Sequence, residues 1–460
     1  MGLLQNVNAD FKKILLETDP EEQMAMLTDR MKEKEMDMNG EPFPTFLKPY
    51  FVEASDRQSI ASITSIMAEG LEKIGRAFLR DGTFSDIIEL EGREGELARI
   101  NPGYPRLQMV NRYDLFFNQE TKDLKFLEFN CGDPSGMGWN DDMLEIFCGL
   151  PAVRKLAEKY DLTIDRLLDN HHTVLKRKYE QWCLNKGMET PLPRPNIAII
   201  CWKESTILGD FKAIARYYCS LGYNAWHADP ADFDYDGKKL FLNGKHIHLI
   251  YRDALTNFIN DEFWGGCQAV ITAYRDSNVC LVNPITAATG DFKAILEIMT
   301  DDRYAKMFTP AENEAFKKHI PWTRLVRERK TTFEGKEVDL IPFISKNKDM
   351  MALKPNSGYG GFGAVMGWLA DQAEWDATIE KALTVGPTYA VQQKVEVPID
   401  EFPILNNGKL SGFEDRYVNI NFWVHDGAFA GAFNRAASGQ IVNVHQGGGL
   451  IPVFFVDHKL

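Results

Sequence analysis

Apolar residues recur at helical spacing over residues 60–79, and residues 21–38, rich in Glu, Lys and Met, form a second helical stretch. The run GEPFP at 40–44 breaks between them. Residues 1–95 therefore read as a helical N-terminal segment. The period then changes. Residues 107–117 and 124–130 read as two strands joined by the polar stretch 118–123, a hairpin within a segment spanning 96–150. Helical spacing returns over 152–186, and PLPRP at 191–195 marks a boundary. Beyond it come a buried-strand run at 196–202, a helix over 211–222, a short strand at 224–227, and strand candidates at 247–251 and 269–272. This alternation predicts a small parallel α/β unit over 151–280. From residue 281 to 460 a second α/β region is expected. It holds a strand, a glycine-rich loop and another strand within 349–366, then strands at 389–397, 416–426 and 428–436. An Asp426-Gly427 turn joins the last two. This end reads as mainly antiparallel sheet with flanking helices.

Composition narrows the function class. Of 460 residues, 44% are apolar and 26% charged, as in an ordinary globular enzyme-sized chain. A net charge of −14 argues against a general nucleic-acid binder but leaves room for a local basic pocket. No apolar run reaches the ~18 residues of a membrane span. The start, MGLLQNVNADFKK, lacks the basic and long apolar stretches of a signal peptide, and Asn6 stands where a myristoylation signal has Ser or Thr. Seven cysteines without a CxxC pair fit a reducing compartment. The expectation is a soluble, cytoplasmic enzyme with neither nucleic-acid nor membrane partners.

Strand residues two apart share a face, so Arg112 and Asp114 point one way on the first hairpin strand, as Glu128 and Asn130 do on the second. If 114 pairs with 128 and 112 with 130, all four converge. Two carboxylates and an amide oxygen suit Mg²⁺, and a guanidinium beside them suits a phosphoryl or carboxylate group. The plainer alternative is a solvated sheet face with an ordinary Arg–Asp pair. The loop 131–138 that follows offers Asp133 and Ser135 to a substrate's ammonium or carboxylate end, or is simply a turn with caps. Gly358, Gly360, Gly361 and Gly363 follow Lys354, a combination suited to approaching phosphates or to a hairpin. On the next strand Gln392, Lys394 and Glu396 share one face and Gln393 takes the other, able to read an adenine edge or merely amphipathic. Arg435 and Asn443 lie near a further glycine cluster. No nucleophile elbow or Cys–His constellation stands out. The pairs His171-His172 and His246-x-His248 read as ordinary surface or strand histidines, and the cysteines as packing residues.

Taken together and in this order, these segments resemble the glutathionylspermidine synthetase-like branch of the ATP-grasp superfamily, which is circularly permuted. The match runs over residues 111–452. The resemblance implies that Asp114, Glu128 and Asn130 hold Mg²⁺, two ions in all. It makes Lys293 (in FKAIL, 292–296) and Lys354 the phosphate lysines, places Gln392 and Gln393 at the hinge near adenine, and sets Arg112 and Arg435 beside the reacting phosphate. It also implies a circularly permuted ATP-grasp α/β fold in which 151–280 is the pre-ATP-grasp-like domain. The implied activity is ADP-forming ligation of a small acid or peptide to an amine through an acyl phosphate. A kinase on the same fold and a non-catalytic nucleotide-binding protein are the alternatives. Two departures stand out: Tyr359 replaces an arginine of the family's loop, and Asp133 and Ser135 align with two carboxylate-binding serines. No Cys–His amidase domain precedes the match, so polyamine–glutathione ligation itself is not implied. The helical segment 1–95 is open to serving as a homo-oligomer interface or as a cap on the core.

Overall fold

The hairpin carrying Arg112 and Asp114 forms one end of an eight-stranded sheet. Its main path runs Tyr50–Glu53, Gly449–His458, Ala428–Ala437, Lys409–His425, Val110–Asn118, Asp123–Asn130. Ile399–Asn406 adds to Lys409–His425, and Tyr160–Thr163 to Gly449–His458. This computed structural model describes residues 2–459 apart from 39, 254–263, 359–360, 385–387, 441 and 443–447. Alternation along the strands sorts the sheet into two faces. Tyr113, Leu115, Phe117, Ile420 and Phe422 join a core shared with Leu71, Ile74 and Phe78 of the helix Arg57–Asp81. A second core gathers Trp423, Phe433 and Phe454 with Val7, Phe11 and Leu15 of the helix Leu3–Glu17 and Trp139 of the helix Met137–Gly149.

A second, four-stranded sheet is all parallel, in the order Cys280–Val282, Leu249–Arg252, Ile197–Ile200, Ala225–Ala228. A third sheet orders Thr323–Leu325, Tyr389–Gln393, Met351–Pro355 and Val365–Met366, all antiparallel. It packs on its own small core around Trp375, Ile379, Leu340 and Ile344. The chain is thus a mixed α/β structure in which the large sheet and this smaller sheet both contribute to one cleft.

Several sequence expectations need correction. Residues 269–272 are not a strand but part of the helix Gln268–Arg275. Cys267, Val270, Ile271 and Tyr274 fall at i, i+3, i+4 and i+7 and are all buried, a helical pattern that a four-residue apolar run conceals. The helical stretch 152–186 is interrupted: Pro151–Lys159 ends where Tyr160–Thr163 joins the large sheet, and Leu167–Asn185 follows. The N-terminal segment is not purely helical, since Tyr50–Glu53 pairs in parallel with Gly449–His458. The strand expected over 389–397 stops at Gln393, which removes Lys394 and Glu396 from any strand face. His171 is neither a surface nor a strand residue; it is fully buried in the helix Leu167–Asn185. No described helix is long and apolar enough to cross a membrane.

Candidate active site

Opposed residues of an antiparallel pair share a face. The hairpin register sets Arg112 opposite Asn130 and Asp114 opposite Glu128, the pairing assumed from the spacing alone. The neighbouring strand sets Asn421 opposite Asp114, and Arg435, one strand farther, lies opposite Asn419. Seven polar residues from four strands thereby meet on one face. That face is not a solvated surface: Asp114 and Arg435 are buried, at 4% and 6% exposure.

Asp114 is the hub. Its carboxylate accepts from Arg112 Nε at 2.9 Å, Arg435 Nη1 at 3.1 Å and Asn130 Nδ2 at 3.2 Å. Arg112 also donates from Nη1 to the Ser135 carbonyl at 2.9 Å, which ties the loop after the second strand to the cluster. Glu128 lies 3.0 Å from Lys293 Nζ. Burial alone would raise its carboxyl, but the Lys293 and Lys354 ammonium groups outweigh that and hold it at about 2. Lys293 also donates to the Gly358 carbonyl at 3.1 Å. Lys354, in the strand Met351–Pro355, donates to Gln392 Oε1 at 2.6 Å. Burial pushes the Lys354 ammonium down to about 8, against the opposing pull of Glu128.

Lys293 and Lys354 come from distant parts of the chain, and one buried residue aligns them. Asn356 accepts from Lys293 N through its carbonyl and from Ala294 N through Oδ1, both at 2.9 Å, and donates from Nδ2 to Ile87 O. It fastens the end of the Lys354 strand to the start of the Lys293 helix. Nothing in the local sequence marks this residue, because its role exists only once the two segments meet. Asn419 and Asn421 are likewise new to the site.

The glycine-rich segment borders the same cleft. Gly358, Gly361 and Gly363 have φ of +145°, +75° and +74°, and a Cβ at Gly363 would press against Pro355 Cγ at 3.0 Å. Gly360 and Tyr359 lie outside the described residues, as does Asn443. Gln392 lines the cleft, but its amide is engaged: besides accepting from Lys354, it donates to Thr323 Oγ1 at 3.1 Å. Its Nε2 also lies 3.4 Å from the Leu127 carbonyl, to which it donates. Gln393 also lines the cleft.

Asp133 belongs to a different neighbourhood. Asp291 accepts from the N–H groups of Cys131 and Gly132 at 2.6 and 3.1 Å. Burial first, then the Asp133 charge, raise the Asp291 carboxyl to about 7. Glu94 is raised to about 7 by burial and by Asp291 and Asp133, and Asp253 is raised by burial and Asp133. The loop expected to take a substrate is therefore flanked by carboxyl groups that the sequence reading did not connect with it.

Asp114, Glu128 and Asn130 provide two carboxylates and an amide, hard oxygen ligands on one face. Among the described residues no cluster of three or more His, Cys, Asp or Glu could enclose an ion. Such a partial set fits Mg²⁺ shared with phosphate oxygens, not an all-protein cage. Arg435 Nε is buried without a hydrogen-bond partner. Buried donors are nearly always satisfied, so an anionic ligand fits there.

No family model matches the chain. Over 192 residues it is 27% identical to uncharacterized proteins of Mycobacterium bovis and of two Mycobacterium tuberculosis strains, covering 40% of this chain. The match spans 31% of the length of these curated relatives. Among solved structures, a glutathione synthetase-like effector from Globodera pallida in its apo form superposes with a TM-score of 0.60 at 12% identity, covering 94% of this chain and 96% of its own. A RimK-domain ATP-grasp protein from Sphaerobacter thermophilus (14% identity, TM-score 0.27) matches 56% of this chain and 90% of its own. D-alanyl-alanine synthetase A from Vibrio cholerae O1 (11% identity, TM-score 0.26) matches 55% and 90%. The chain has the mixed α/β fold of that glutathione synthetase-like effector.

Proposed function

We propose that this protein is an ATP-dependent, ADP-forming ligase that joins a small carboxylic acid or peptide to an amine. One observation carries the reading. Two carboxylates, an amide, two lysines and two arginines converge beneath a glycine-rich segment in a glutathione synthetase-like fold. The chain order supports a circularly permuted arrangement, because the metal-strand hairpin precedes both phosphate lysines.

Phosphoryl transfer needs positioning and charge neutralisation rather than a protein nucleophile. Lys293 and Lys354 would hold the β- and γ-phosphates, with the backbone of the glycine-rich segment close above. Arg435 and Arg112 would face the γ-phosphoryl as it passes to the substrate carboxylate, giving an acyl phosphate and ADP. Mg²⁺, two ions in this reading, would be held by Asp114, Glu128 and Asn130 and would neutralise phosphate charge. An amine then attacks the acyl carbon, the tetrahedral adduct collapses, and phosphate leaves with the amide formed. The cleft must exclude water during this interval, since water would hydrolyse the acyl phosphate.

The test is ADP and phosphate release with Mg²⁺–ATP against acids and amines, singly and in pairs, with mass spectra of the products. An amide that forms only when both partners are present is the expected result. A phosphorylated acceptor that accumulates without any amine would replace the ligase with a kinase.

A further inference from the structure

The cleft has two chemically distinct ends. Lys293, Lys354 and Arg435 mark one end, while Leu127, Ala352, Met366 and Val395 give the wall an apolar stretch suited to a flat base. Trp368 stands beyond that stretch. Met366 is paired with Ala352 and Val365 with Leu353, and Gly367 N–H donates to Met351 O at 3.0 Å, so the chain runs away from Lys354 into the turn that holds Trp368. Lys394, which follows the hinge strand, hydrogen-bonds through its N–H to Met350 O at the same end.

The indole of Trp368 is held from two directions. Its Nε1–H donates to Gln440 Oε1 at 2.8 Å, and the Lys394 ammonium lies 4.5 Å from the ring centroid. Gln440 follows the strand Ala428–Ala437 of the large sheet, whereas Lys394 follows Tyr389–Gln393 of the small one. A residue from each wall therefore fixes one ring at the cleft, and Trp368, Gln440 and Lys394 all line it. The contacts join partly exposed groups and contribute little to folding. What they do set is the plane of an aromatic surface.

We propose that Trp368 is a nucleoside-positioning residue, whose indole, fixed by Gln440 and Lys394, is the surface against which the base of the bound nucleotide packs. This rests on the nucleotide-binding reading above. Stacking on an aromatic ring is tolerant of base identity, so Trp368 supplies affinity and placement rather than choice among bases.

Calorimetry with two probes, AMP-PNP and inorganic tripolyphosphate, each with Mg²⁺, tests it. Trp368→Ala is expected to weaken AMP-PNP by roughly 10- to 100-fold and leave tripolyphosphate unchanged, because only the first carries a base. Trp368→Phe, which keeps a ring but loses the N–H, should fall between. If Trp368→Ala does not fold, Trp368→Phe and Gln440→Leu carry the same comparison. Unaltered AMP-PNP affinity, or equal loss for both probes, overturns the proposal. Failure of the wild-type protein to bind AMP-PNP while it binds tripolyphosphate would instead remove the nucleotide reading beneath it.

Discussion

Each ionisable residue at the site has a counter-charge. Glu128 offsets Lys293, and Asp114 offsets both Arg112 and Arg435. Glu128→Gln takes away one of the oxygens proposed to hold Mg²⁺ and the counter-charge of Lys293, with little change in side-chain volume. We expect Mg²⁺-supported ADP release to fall roughly 100-fold in a protein that still folds, with a thermal midpoint lowered by loss of the Lys293 ion pair; full activity in this variant would remove Glu128 from the proposed metal site. Lys354 gives a pH signature. It is charged in the folded protein below about 8 and loses its proton above, and only the charged form attracts phosphate. AMP-PNP dissociation constants should therefore be flat below that pH and rise about tenfold per unit above it. The rise should vanish in Lys354→Met; persistence there would assign the titration elsewhere.

At the scale of elements, the loop 131–136 depends on a residue from a distant part of the chain. Asp210, on the helix Leu208–Ser220, is buried and accepts from Gly136 N at 2.7 Å and Trp139 N at 2.8 Å, capping the helix Met137–Gly149. Its carboxylate meets the positive end of that helix and fixes the end of the loop 131–136. Asp210→Ala should cost about 1–3 kcal/mol, read as a lower urea midpoint, with faster hydrogen exchange at Gly136 and Trp139. Protected amides there would place the cap elsewhere. The legible elements were those whose pattern is local. The alternation in the hairpin was enough to put Arg112 with Asp114 and Glu128 with Asn130, and the strand register, which alternation does not fix, brings the two pairs onto one face. The strand Gly449–His458 was not anticipated. Its run is apolar on both faces and carries Pro452, which usually argues against an interior strand, yet Pro452 sits opposite Phe433 inside the sheet. Asn356 and Asp210 were invisible for another reason: each acts on a segment remote in sequence, so no spacing rule reaches it.

Across the whole molecule, stability carries an acid limit in the second core. His171 and His425 lie with ring centroids 6.0 Å apart among Tyr218, Tyr251, His172 and Trp423. His171 Nε2 and both ring nitrogens of His425 have no hydrogen-bond partner. Burial, aided by neighbouring histidines, lowers His171, and burial holds His425 at about 3. Unfolded histidines take up protons below about 6.5 while these two do not. Their contribution is thus intact above that pH and lost on acidification, at about 1.4 kcal/mol per pH unit for each. His425→Phe should reduce the fall in unfolding free energy between pH 6 and pH 4; an identical slope would show that His425 is not the sensor. The parallel pairing of Tyr50–Glu53 with Gly449–His458 has a consequence for the chain as it is made. The first of these strands leaves the ribosome almost 400 residues before its neighbour. At ordinary rates of synthesis it waits on the order of 20–80 s with that edge uncovered. Folding of the large sheet, and with it assembly of Asp114 against Arg435, is therefore a late event, and the nascent chain needs shielding for most of its synthesis.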